Sequence, residues 1–242
     1  MARLTPQDML AVWEAGQRRS STEQALLLIR AGTPGLSDRD AAALPIGERD
    51  RRLLDLREDS FGPAIDAMTA CPACATPLDF EFTVSQLRAP VGRDLPREVE
   101  AGGWRIRFRL PDSTDLRELS RAGGVSAARD HLLNRCLIDA RDGGGSQPEV
   151  AVPSDIMERV SSRMGQCDPM GELLLRLLCP ACEHAWTELF DISAFFWLEV
   201  SAVARRLLDE VHTLARAYGW REAEVLGMTP VRRQAYLALV AG

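Results

Sequence analysis

The chain has 242 residues, of which 46% are hydrophobic and 26% charged, and carries a formal net charge of −6. That is ordinary soluble-globular composition, long enough for a sizeable core, and no apolar run reaches the roughly 18 residues of a membrane-spanning helix. All 29 basic residues are Arg, which removes Schiff-base, phosphate-loop and kinase lysines, and the acidic balance opposes nucleic-acid binding by bulk electrostatics.

The first 66 residues are predicted to be a helical region. Thr5-Pro6 has the form of an N-cap followed by Pro at N1, leading into Met9, Leu10 and Trp13. Ser20 or Ser21 caps a second helix carrying Leu26, Leu27 and Ile29, with Glu23 or Gln24 placed for a capping box and Gly32 as the stop. A third helix follows Gly47, turns Leu53, Leu54 and Leu56 inward, and ends near Phe61-Gly62-Pro63. The period then changes. Leu78 to Val84 alternates apolar and polar residues, and Trp104 to Leu110 alternates more strictly, with Arg105, Arg107 and Arg109 on one face. The bland reading of that Arg row is an exposed strand face matched by carboxylates; the functional one is an anion or nucleic-acid contact. Asp115–Ser120 and Val125–Ala140 read as helices, Asp142–Pro148 as a loop, and Ser154 as the cap of a helix through Met157, Val160 and Met164. Glu172–Leu178 and Trp186–Phe190 read as strands, and the chain from Ser193 onward as helical, with Gly219 as a stop and Thr229-Pro230 as a restart.

The chemistry lies in a repeated tetrapeptide. Cys71-Pro72-Ala73-Cys74 and Cys179-Pro180-Ala181-Cys182 are identical, and each is followed by an alternating strand. A C-x₂-C turn lets two thiolates reach one tetrahedral ion at about 2.3 Å, so two knuckles make a Cys₄ zinc site; such a site is closed and structural. The opening residues lack the apolar stretch of a secretory signal, so a reducing, cytoplasmic setting is expected, where thiols serve as ligands and not as disulfides. Residues 75–178 separate the knuckles, against roughly 15–20 in the usual pattern, so a folded insertion is expected between the halves of a zinc ribbon. Two separate redox pairs, knuckles without metal, or His184 or Cys167 as a replacement ligand remain the alternatives. Neither knuckle has the βαβ context of a thioredoxin-like site. Cys136 reads as a small core residue and Cys167 as a loop thiol. Of the other His residues, 131 and 212 lie in helical patterns. The motifs G-x-S-x-G, H-E-x-x-H and G-x-G-x-x-G are all missing, and no nucleophile–base pair stands out, so no enzyme activity is expected.

Leu44-Pro45-Ile46-Gly47-Glu48-Arg49-Asp50 with Leu53-Leu54, Phe61-Gly62, Asp168-Pro169, Asp191-Ile192, Phe196-Trp197 and Tyr218-Gly219-Trp220, together with the knuckles and Trp186, resemble a tailed-phage family. It is similar to the T4-type baseplate hub assembly proteins of phages and of phage-tail-like contractile injection systems. The resemblance spans most of residues 40–240. It implies a non-enzymatic role as a component or assembly chaperone, with other baseplate or injection-system proteins as partners; the zinc expectation rests on the cysteines alone. The rival reading is a zinc-ribbon nucleic-acid-binding or transcription factor. That factor would use the Arg row, or a helix–turn–helix-like pair formed by 222–226 and 230–240.

The expected fold is α+β, mostly helical, with a small antiparallel zinc-ribbon-like sheet carrying the long insertion. The division is 1–66 helical, 67–192 zinc-ribbon-like with 75–178 inserted, and 193–242 helical. Phe196, Val200, Val203, Leu207, Val211, Leu214 and Tyr218 form one helical stripe, which makes residues 193–241 the expected partner-binding segment.

Overall fold

A computed structural model describes residues 2–88, 95–119, 124–142 and 152–241. Local signals set most of the helix starts. Thr5 closes a capping box with Asp8 at the head of α1 (Pro6–Gly16), and Ser20 does the same with Glu23 for α2 (Ser21–Gly32). A short α3 (Asp38–Ala42) precedes α4 (Ile46–Phe61), whose Leu53, Leu54 and Leu56 are fully buried. The chain then forms β1 (Ala64–Ala70), β2 (Pro77–Thr83) and α5 (Val84–Leu87).

The next stretch holds β3 (Glu98–Ala101), β4 (Trp104–Phe108), α6 (Ser113–Leu119), α7 (Val125–Cys136), β5 (Leu137–Arg141) and α8 (Ser154–Cys167). Two expectations change here. Residues 137–140 are not the end of a helix but a strand, because Leu137 to Arg141 pairs antiparallel with β4 and completes a β3-β4-β5 sheet. Ser154 is not the cap; Pro153 holds that position, with no side-chain cap bond. The loop expected at 142–148 lies, beyond residue 142, outside the described residues.

The chain finishes with β6 (Leu174–Leu178), β7 (Ala185–Leu189), α9 (Ile192–Tyr218), α10 (Glu222–Leu226) and α11 (Pro230–Ala241). Asp191 caps α9, accepting from the Ser193 and Ala194 amides at 2.9 and 3.1 Å, and left-handed Gly219 (φ 71°) closes it. The fold is α+β, mostly helical, with small antiparallel sheets. β1–β2 and β6–β7 are separate hairpins, each continuous in register.

Three apolar clusters organise these elements. The largest joins Leu28, Ile29, Leu53, Leu54 and Leu56 to Ile65 and Phe82 of the first hairpin and to Ile192, Phe196 and Val200 of α9. Phe82 also meets Phe190 edge-on, with ring centroids 5.4 Å apart, so the hairpins share this core. The inserted unit has its own cluster, including Ile106, Phe108, Leu133, Cys136, Ile156 and Val160. Leu10, Ala204, Leu207 and Leu226 form the third, seating α10 against α1 and α9. The α9 stripe thus turns inward: Phe196, Val200, Leu207 and Leu214 are buried in the protein's own core. Arg57 fixes the same helix through two bonds to the Glu199 carboxylate, at 2.7 and 3.0 Å.

The insertion is tied to α4 at one junction. α4 begins after Pro45 with no cap of its own, and its first amides find partners elsewhere. Ile46 donates to the Pro111 carbonyl at 3.0 Å, and Gly47 donates to Asp168 Oδ2 at 2.8 Å. A Cβ at position 47 would collide with the Asp168 carboxylate. Gly47→Ala should therefore cost about 1–3 kcal/mol by overpacking. The same change in an Asp168→Ala background should cost less but not nothing, because the added Cβ would still lie 2.7 Å from the Gly171 backbone nitrogen. Urea denaturation of the two single variants and the double variant measures that coupling.

Candidate metal centre

Each knuckle is the tip of a hairpin, and the two tips are built bond for bond alike. The Cys71 amide donates to the Thr76 carbonyl at 2.9 Å, and the Ala75 amide donates back to the Cys71 carbonyl at 2.8 Å. In the second knuckle, Cys179 donates to the His184 carbonyl and Glu183 donates to the Cys179 carbonyl, both at 2.9 Å. Pro72 and Pro180 preset φ after the first cysteine of each turn. Ala75 and Glu183 occupy the left-handed region at φ 58° and 57°, a conformation that disfavours a side chain by about 1–2 kcal/mol.

The two turns bring the four cysteines together. Cys71 Sγ lies 3.7 Å from Cys182 Sγ, and Cys74 Sγ lies 3.6 Å from Cys179 Sγ. Exchanging the knuckles maps one pair onto the other, so the cluster has local two-fold symmetry. All four sulfurs fall within 4.8 Å of one another. Sulfurs placed tetrahedrally at 2.3 Å from one ion are about 3.8 Å apart, so this donor set fits a single tetrahedral metal. Cys71 and Cys179 are buried, whereas Cys74 and Cys182 face solvent.

The protons of this cluster are held unequally. Hydrogen bonds from the Thr76 hydroxyl and then its backbone lower the Cys74 pKa to about 6. At Cys182 a backbone hydrogen bond from His184 pulls the pKa down, but the contact with Cys74, burial, and the contacts with Cys179 and Cys71 push it up to about 12. Four thiolates at this spacing repel, so complete ionisation requires a cation among them.

The other sulfur and imidazole groups lie elsewhere. His184 stacks on Trp186, with centroids 6.1 Å apart and planes 14° from parallel, and is not in the four-sulfur group. Cys136 is buried next to Asp115, and burial raises its pKa to about 11. Cys167 is not a loop thiol; it ends α8, facing the Leu95 and Pro96 carbonyls at 3.9 and 4.0 Å.

Both candidate nucleic-acid surfaces have their cations engaged. Arg105 reaches Glu100 at 2.6 Å, Arg107 reaches Asp139 at 3.8 Å, and Arg109 grips buried Asp115 at 2.6 and 2.8 Å. That last carboxyl is desolvated, yet the bonds from Arg109, the Asp112 backbone and Arg135 hold its pKa down at about 2. In the C-terminal helix pair, Arg233 is buried against Glu210 at 2.8 Å and Arg232 lies over the Tyr236 ring at 5.7 Å.

Alternation marks the second strand of the first hairpin, β2, in the sequence, but not the first, β1. Its apolar side is Ile65, Ala67 and Thr69, too small to read as a strand alone. The repeat held the missing signal: a strand was read into the second knuckle, and equivalent turns imply one into the first.

A protein with this architecture is an α+β chain whose two long-separated hairpins meet at a cysteine cluster that could hold one metal ion. The chain belongs to the family described as T4 bacteriophage base plate protein, whose model matches residues 14–197. No curated protein and no solved structure matches it.

The strained knuckle positions give a direct check on the turn geometry. Ala75→Gly and Glu183→Gly should each leave stability unchanged or raise it by up to about 1 kcal/mol, since glycine adopts this region without a Cβ clash. Thermal melting of the purified variants reads this out; a clear loss in either would contradict the geometry.

Proposed function

We propose that this protein is a non-catalytic structural or assembly protein of a phage-like baseplate or contractile injection system, stapled by one structural Zn²⁺. The family match over residues 14–197 carries the baseplate part of the reading. The zinc part is supported by the four-sulfur spacing: Cys71, Cys74, Cys179 and Cys182 fill a tetrahedral set. A closed Cys₄ ion has no open position for substrate, so the metal contributes folding energy and no Lewis-acid chemistry. The rival nucleic-acid reading loses weight because the Arg row and the last helix direct their cations to carboxylates and an aromatic ring.

In this reading, residues 1–66 are the helical base, 67–192 the metal-clipped unit with 75–178 inserted, and 193–242 the segment that meets other baseplate proteins. The α9 stripe is inward except at its end, which leaves Leu198, Leu208, Tyr218, Val231, Leu239 and Val240 as the exposed large hydrophobic residues among the described residues of that segment. No helix among the described residues is long and apolar enough to cross a membrane, in keeping with a cytoplasmic protein that can enter a phage-tail-like particle.

Element analysis of protein purified without added metal should give about one zinc per chain. Iron, two zincs, or no metal with free thiols contradicts the assignment. Replacing Cys71 and Cys74 together by Ser should abolish metal retention and lower the thermal midpoint, with protease sensitivity rising in both halves of the chain. Truncation after Asp191 would remove core residues, so the partner segment is better tested by Val231→Glu with Leu239→Glu. That pair should leave the melting temperature unchanged and abolish co-purification with co-expressed baseplate proteins. Undiminished capture of every partner would exclude the segment.

A further inference from the structure

Beside the cysteine cluster, β1 and β7 border an open groove of about 320 Å³. It touches four consecutive residues of β1, Asp66 to Thr69, but only Phe80 of β2. It therefore runs along the edge of β1 that faces away from its partner strand. The far wall is Glu188 to Asp191, following β7, and the floor is Phe80, Leu175, Phe190 and Phe195. At the cluster end the walls close: the Thr69 hydroxyl donates to the Glu188 carboxylate at 2.9 Å. Met68 and Leu198 also line it and are 83% and 68% exposed.

An antiparallel hairpin strand turns alternate amides and carbonyls to its partner and the remainder outward. Among the described residues, β1 pairs with β2 alone, so its outward groups at Ile65 to Thr69 have no strand beside them. Exposed edges usually carry protection: Lys or Arg, Pro, or a bulge. β1, Ala-Ile-Asp-Ala-Met-Thr-Ala, has none of these and a single charge, Asp66, and its pairing is unbroken in register. Its small side chains leave the backbone open to approach. The groove is also of one sign. Asp66, Glu188 and Asp191 border it, and no basic residue does.

We infer that this groove receives an extended segment of another protein, added as a strand to the free edge of β1, in which apolar residues alternate with Lys or Arg. Main-chain bonds to β1 supply the affinity, as in other strand-addition interfaces. The apolar side chains of the segment enter over Phe80, Phe190 and Phe195. Its basic side chains, on the opposite face, meet Asp66, which lies on the outer side of β1, whereas Glu188 already accepts from Thr69 and Trp186, and Asp191 caps α9. The site does not rest on the metal: it is formed by the hairpins and the first two turns of α9, with Phe195 and Leu198 as its residues from the 193–242 segment.

The test uses the full-length protein and a soluble octapeptide alternating lysine and valine, with two controls. One control alternates glutamate and valine; the other is the lysine peptide with a central proline. Binding is read by calorimetry and by backbone amide shifts. The expected result is salt-sensitive binding of the lysine peptide, with shifts concentrated at Ile65 to Thr69 and at Glu188 to Phe190. Asp66→Arg should weaken it on the order of tenfold, as a reversed charge at a complementary rim does. Asp66 is exposed, and an unchanged melting temperature would show that the variant is folded. Met68→Lys, which guards the edge, should weaken it similarly. No binding at millimolar peptide overturns the proposal, as do equal binding of the glutamate or proline peptide and shifts confined to other surfaces. Concentration-dependent dimerisation through β1 would make the occupant a second copy and also overturn it.

Discussion

Cys74 and Cys179 lie 105 residues apart in sequence and 3.6 Å apart at sulfur. A metal bound there, as proposed, would close that span and remove much of the unfolded chain's freedom, on the order of 4–5 kcal/mol by the cross-link estimate for about 100 residues. The constraint fixes the plan of the molecule. The chain between the knuckles has to leave one hairpin and return to the other: its ends, including Phe82 and Leu173, join the main core, and the part between them has its own apolar cluster. Two-stranded hairpins are marginal alone, so each needs backing. The first gains it from Ile65 and Phe82 in the main core, the second from the Phe82–Phe190 contact and the Thr69–Glu188 bond.

Three further ties keep the inserted unit and the helices α9 and α11 in place. Asp168 supplies the N-terminus of α4 with a partner that α4 lacks locally, and a carboxylate there also meets the favourable end of the helix dipole. Arg57–Glu199 and Arg233–Glu210 hold α9 and α11 with Arg side chains that are almost fully buried. In a chain whose basic residues are all Arg, these contacts suit the guanidinium fork: Arg57 meets the Glu199 carboxylate in two bonds, and Arg233 divides its donors between Glu210 and the Met228 carbonyl.

Local chemistry was legible in the sequence. The N-cap at Thr5, the capping box at Ser20, the stop at Gly219, and the alternation of β2, β4 and β7 all rest on interactions within a few residues, and the structure has them where expected. The four cysteines were legible as a group because a repeated Cys-Pro-Ala-Cys is specific. The long-range features were not. Nothing near Gly47 announces Asp168, and the switch from α7 to β5 depends on pairing with β4. The α9 stripe, read from spacing as a partner surface, could not reveal that α1, α2 and α4 would cover it. Amphipathicity says that a face is covered, not by what. The groove at β1 was illegible for the same reason, since a free edge exists only relative to the strands around it.

The account depends on one ion held by four sulfurs that bridge distant turns. X-ray absorption at the zinc edge of the purified protein tests this most directly. The account predicts a single shell of four sulfur scatterers at about 2.3 Å. A mixed shell with nitrogen or oxygen at about 2.0 Å would bring His184 or solvent into the site and contradict the closed, structural centre.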